Sequence, residues 1–180
     1  PYIHYNKAGL MMYTLSNFIG KDLFNNALGR FIENFRYQSN PYPNIGKFIN
    51  TIREETPDDL QYLITDTFEK ITLYENKAKE AVAVKNKDST FTVTLAVEAK
   101  KVYSDSIGNQ TNAQLNDWLE IGILGEILKD GDIEEIPIYL EKVLITDSLT
   151  TFTIDVDQKP IKAGIDPMHK FVDRDTQDNL

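Results

Sequence analysis

The stretch His4-Tyr5-Asn6-Lys7-Ala8-Gly9 gathers an imidazole, a phenol and an ammonium within four consecutive residues. A phenol is rigid, neutral at pH 7 and a good hydrogen-bond donor. Those properties suit a group that steadies negative charge developing on a reacting oxygen. His4, next to it, is a candidate for facing a substrate. On residue type and position alone, however, Tyr5 is a tyrosine at the start of an apolar helical run, and most such residues simply anchor the helix.

Other catalytic arrangements are missing from the sequence. A zinc peptidase needs two histidines at i and i+4 with a glutamate between them. Here the two histidines, His4 and His169, are 165 positions apart and neither is followed by Glu. His169 lies in a polar Asp-Pro-Met-His-Lys stretch and reads as a surface residue. There is no cysteine, so no thiolate nucleophile, disulfide or thiolate metal site. No Gly-x-Ser-x-Gly elbow or phosphate loop is present. The pairs Glu54-Glu55 and Asp58-Asp59 are explained by helix capping and solvated faces.

The elements that must hold Tyr5 in place begin directly after it. Leu10, Tyr13, Leu15 and Phe18 recur near helical spacing, with Gly20 placed to end the first helix. Leu23, Ala27, Leu28, Phe31, Ile32 and Phe35 make the stripe of a second helix, up to Arg36. Pro41 and Pro43 impose a loop. Ile45, Phe48, Ile49 and Ile52 mark a third helix. Thr56-Pro57-Asp58-Asp59 has the form of a helix start, with Thr56 as N-cap, and Leu60, Leu63, Ile64 and Phe68 follow it.

From about Ile71 the period changes to two. Ala81–Val84, Thr90–Val97, Trp118–Leu124, Ile136–Val143, Thr151–Val156 and Pro160–Ile165 read as short strands. Lys129-Asp130-Gly131-Asp132 is a hairpin turn with glycine where positive φ is needed. Residues 102–117 are polar and read as a long loop, and the acidic tail after Phe171 as irregular. The expectation is an α+β chain. Residues 1–74 form a helical subdomain of about four helices, and residues 75–180 an antiparallel β-sandwich of about six or seven strands.

Apolar residues make up 41% of the chain and aromatic residues 11%, the composition of a folded protein. No apolar run approaches the roughly 18 residues a membrane helix needs. A net charge of −9 argues against binding a nucleic-acid backbone, so no nucleic-acid partner is expected. Residues 1–80 carry nine basic and ten acidic residues, and residues 81–180 carry ten and eighteen. The plain reading of that excess is a solvated acidic surface on the second half.

Taken in order, the features resemble the aminopeptidase N-type zinc metallopeptidases, a gluzincin family. Tyr5-Asn6-Lys7-Ala8-Gly9 resembles the family's Tyr-Glu-Lys-Gly-Ala motif, with glycine and alanine exchanged and Asn6 in place of Glu. Phe18-Ile19-Gly20 and Phe24-Asn25-Asn26-Ala27-Leu28 resemble its Leu-Gly helix end and following Phe-x-x-Ala-Leu helix. Asp59-Leu60-Gln61-Tyr62-Leu63 resembles its Asp-Leu-x-x-Phe-Phe helix, though without the usual Trp after it. A β-sandwich follows in many members, and Ala163-Gly164-Ile165-Asp166-Pro167 is similar to its close. The likeness extends to the Bacteroidetes type, in which such a region follows an ABC-transporter-like membrane portion.

The resemblance implies a peptidase fragment: the helical end of a catalytic domain plus its β-sandwich. The zinc and its ligands would lie upstream of Pro1. Tyr5 would be the transition-state-stabilising tyrosine, His4 a substrate-facing neighbour, and peptides the substrates of the parent enzyme. Alone, the chain is expected to hold no zinc and to be inactive. It is also expected to self-associate through helical surfaces that the missing half would cover. The alternative is a non-catalytic interaction module, a pseudo-peptidase scaffold whose sandwich binds a protein or glycan. Tyr103, Trp118 and Tyr139 would then be its aromatic platform, although an inward-facing Trp118 is the plainer expectation. Compartment is left open by the sequence.

Overall fold

The computed structural model describes residue 5 and residues 7–180. It divides into two compact units. One holds the helices up to Thr72 together with Ser104–Ile107, and the other holds Leu73–Tyr103 and Gly108–Leu180.

The first unit contains α1 (Ala8–Ile19), α2 (Lys21–Phe35), α3 (Ile45–Glu55) and a short α4 (Gln61–Ile64). Gly20 separates α1 from α2 at φ 97°, a left-handed value glycine adopts without strain. Leu15, Phe18, Ile19, Phe24, Ala27, Ile52, Leu63 and Ile64 are its buried apolar residues. Beside them runs a row of half-buried rings. Phe31 lies 5.1 Å from Phe35 and 5.3 Å from Phe48, and Phe48 lies 6.2 Å from Phe68. The outer surface is tied by Arg30, which pairs with both Glu54 and Glu55.

The helix start expected at Thr56 is built differently. The Thr56 hydroxyl donates back to the Ile52 carbonyl at 2.8 Å, so it closes α3 and caps nothing after it. A 3-10 turn (Asp58–Leu60) leads into α4, which ends in a single π-helical turn (Thr65–Glu69). The true side-chain cap is Asn44, whose Oδ1 accepts from the Lys47 N–H at 3.1 Å at the start of α3.

The second unit is an antiparallel sandwich of seven strands. They are β1 (Ile71–Lys85), β2 (Phe91–Ser104), β3 (Gln110–Ala113), β4 (Asp117–Lys129), β5 (Asp132–Ile145), β6 (Leu149–Val156) and β7 (Lys162–Ile165). One sheet runs β1-β2-β3 with β6 also on β2, and the other runs β5-β4-β7. Between them lie Tyr74, Val93, Leu95, Val97, Leu119, Ile121, Ile123, Ile145, Ile154 and Ile165, all buried. The α+β order of helices followed by an antiparallel sandwich is thus present.

Several strands exceed their sequence expectation. The polar stretch 102–117 is not one long loop, because β2 continues to Ser104 and β3 returns at Gln110. Ladder pairing overrides the polarity there. Pro137 is tolerated in β5 because β5 ends its sheet and the register shifts beside it, between Ile123 and Leu124. The β4–β5 turn carries positive φ at both Asp130 (53°) and Gly131 (93°), the pattern of a type I′ hairpin.

The tail after Phe171 is irregular in conformation, yet it is anchored. Tyr74 N donates to Val172 O at 2.9 Å and Ile165 N to Asn179 O at 2.9 Å, so it bonds to the end strands of both sheets.

Candidate functional site

Tyr5 precedes α1 and is 77% exposed. Its ring therefore does not anchor the helix in a core, and its phenol is open to an incoming group. His4 and Asn6 lie outside the described residues, so the juxtaposition of Tyr5 with His4 belongs to the sequence alone. Gly9, within the same motif, has open space where a Cβ would be. His169 is exposed, at φ 50°, in the turn after β7.

Among the described residues, no three His, Asp or Glu side chains are grouped as a metal site requires. They offer no ligand set into which a zinc ion would fit, and no chemical step on a metal is assigned to them. Asp155, on β6, accepts the Thr92 hydroxyl at 2.6 Å. The proposed aromatic platform is not exposed either: Tyr103, Trp118 and Tyr139 are each half-buried. Trp118 is half-buried on the face of β4 opposite Leu119, Ile121 and Ile123, a face that also carries the buried Glu120, Gly122 and Leu124.

Most acidic residues of the second half are exposed, in line with the solvated acidic surface read from the sequence, but the sandwich also buries several charges. Asp117 accepts from the Tyr74 hydroxyl at 3.0 Å and pairs with Lys101 at 2.8 Å, all three side chains being almost fully enclosed. Glu120 and Lys170 form a second buried pair. Lys142, directly across the ladder from Glu120, has its ammonium pKa lowered by desolvation, an effect Glu120 opposes. Asp166, wholly buried at φ 47°, accepts from the N–H groups of Lys170 (2.8 Å) and Phe171 (3.1 Å). Burial pushes its carboxyl up to about 7, against those two hydrogen bonds.

Glu120 and Asp166 bind the C-terminal segment to the sandwich, while Asp117 ties β4 to Tyr74 and Lys101. The signal in the sequence was slight: Asp117 and Glu120 interrupt an otherwise apolar β4, which is where a paired charge would sit.

No protein-family model matches the chain, and no curated protein matches it.

Proposed function

We propose that the chain supplies the transition-state tyrosine of a zinc aminopeptidase-like protein, with Tyr5 as that residue. The observation that carries this reading is the exposure of Tyr5 at the entry to α1, joined to the order of motifs that resembles the family. A buried anchoring tyrosine would have argued the other way. In this reading the Tyr5 phenol donates a hydrogen bond to the oxygen that becomes negative as a peptide carbonyl is attacked. Such a bond strengthens as charge develops, so it lowers the barrier more than it tightens substrate binding. The zinc would be held by residues of the parent protein outside this sequence.

The test is Tyr5→Phe in the full-length protein, assayed on amino-acid p-nitroanilides. Removing one oxyanion donor costs about 10²–10³ in kcat with KM little changed. Near-normal turnover with zinc content intact would sink the proposal.

The interaction-module reading draws support from a different feature, the incompletely covered edge of β1, and not from an aromatic platform.

A further inference from the structure

The outer edge of β1 is occupied along only part of its length. β1 is the end strand of its sheet. Tyr74 exchanges backbone hydrogen bonds with Val172 and Arg174, and the Asn76 N–H is taken by the Asp173 carboxylate at 3.0 Å. Past Lys77 the strand continues from Ala78 to Lys85 with no backbone partner on that side among the described residues. An unpaired edge is a row of donors and acceptors suited to an added strand.

Side chains along this stretch supply both a pocket and a charge. Ala81 and Ala83, with Val93 of β2 and Pro160–Ala163, line a cavity of about 70 Å³. That is room for one small aliphatic side chain. By strand alternation Val82 and Val84 lie on the opposite face, 46% and 58% exposed. Residues 77–87 hold four lysines (Lys77, Lys79, Lys85, Lys87) against one acid, Glu80, in a chain of net charge −9. Lys162 lines the cavity on its other side, and Lys159 directly precedes Pro160 of that lining. Lys77, Lys79 and Lys162 are paired, with Asp178, Glu98 and Glu135. Lys85, Lys87 and Lys159 make no ion pair among the described residues.

The lysines discriminate between occupants. Antiparallel pairing of this edge with its own copy, centred on Val82, would set Lys79 against Lys85; centred on Ala83, it would set Lys79 against Lys87. Like charges directly opposite destabilise a ladder. An acidic strand meets the reverse situation.

Resting on the interaction-module reading, we propose that the Ala78–Lys85 edge of β1 receives an extended segment of a partner protein, with small aliphatic side chains facing the alanine-lined cavity and acidic residues flanking them. Main-chain hydrogen bonds would supply affinity, while the cavity and lysines would supply selectivity.

A fluorescein-labelled probe peptide, Glu-Glu-Val-Thr-Val-Thr-Val-Glu-Glu, tests this by fluorescence anisotropy, with backbone amide exchange of the whole chain followed by NMR. Saturable binding is expected, with slowed exchange at amides within residues 78–85. Ala83→Glu should abolish binding. The paired surface exchange Lys85→Glu with Lys87→Glu, at exposed positions that leave folding intact, should weaken it by about tenfold and reduce its salt dependence. A probe with Lys in place of every Glu that binds equally well would overturn the acidic partner while sparing the interaction-module reading. Absence of binding by both probes would overturn both. Dimerisation of the chain that is lost in Ala83→Glu would also overturn the proposal, by giving the edge to a second copy.

Discussion

The Lys170 ammonium lies 2.5 Å from the Glu120 carboxylate, with the two side chains only 4% and 5% exposed. This pair fastens the C-terminal segment to the centre of β4. The second Glu120 oxygen, Oε2, is buried without a hydrogen-bond partner among the described residues. Removing the cation alone leaves a buried carboxylate without its salt-bridge partner, with Lys142 across the ladder offsetting only part of its charge. Lys170→Met is therefore expected to destabilise the chain by about 3–5 kcal/mol. Glu120→Leu combined with Lys170→Met should lie within about 1 kcal/mol of the parent, because it removes both charges together. Urea unfolding of the two variants checks the contrast, and equal losses in both would contradict it.

Asp166 makes stability depend on pH. An unfolded aspartate titrates near 3.8, whereas burial in the fold pushes this carboxyl up to about 7. Below 3.8 it is protonated in both states, and nothing is lost. Between 3.8 and 7 the folded state holds a proton that the unfolded state has released, so stability falls as pH rises. Above 7 the loss is complete, on the order of 4 kcal/mol at most. Asp173, also raised by desolvation, acts with the same sign. Chemical denaturation at intervals from pH 4 to 8 should show this decline, and Asp166→Asn should flatten it.

Gly164 is required by close approach and not by an unusual backbone angle. A Cβ there would fall onto the Asn179 carbonyl, the same group that accepts from Ile165 N. Gly164→Ala must push residue 179 away from β7 or distort the strand. A loss of about 1–3 kcal/mol is expected, as for overpacking. The Ile165 amide should become the first to lose its protection from hydrogen exchange. Unchanged protection there would show that the tail accommodates the methyl without moving.

Much of the architecture was legible because period and punctuation are local properties. Leu10 to Phe18 and Thr151 to Val156 declare their elements in a few residues, and Asp130-Gly131 declares its turn. What was not legible depends on distant chain. Asp117 and Glu120 interrupt an apolar strand, but nothing near Glu120 announces that its partner will be Lys170, 50 residues further on. Polarity in 102–117 suggested a loop because the ladder that orders it comes from β2. Of the candidate site, Tyr5 was singled out by motif order. The open edge of β1 was invisible, since an edge is defined by which strand fails to arrive.

Asn44 and Thr56 present the same chemistry to helix ends with opposite consequences. The Asn44 carbonyl oxygen accepts from Lys47 N, satisfying one of the donors left free at the start of α3. Asn44→Ala is expected to cost about 1 kcal/mol. Thr56, which the sequence marks as an N-cap, instead donates its hydroxyl to Ile52 O at the other end of the same helix. That bond is buried, and the Thr56 N–H goes to Arg53 O instead, so removing the hydroxyl strips a donor from an enclosed carbonyl. Thr56→Val keeps the buried volume and removes only the hydroxyl, so its cost should equal or exceed that of the exposed Asn44 cap, at about 1–3 kcal/mol. Thermal unfolding followed by circular dichroism ranks the two. A loss in Thr56→Val well below that in Asn44→Ala would show that another donor reaches the Ile52 carbonyl once the hydroxyl is gone.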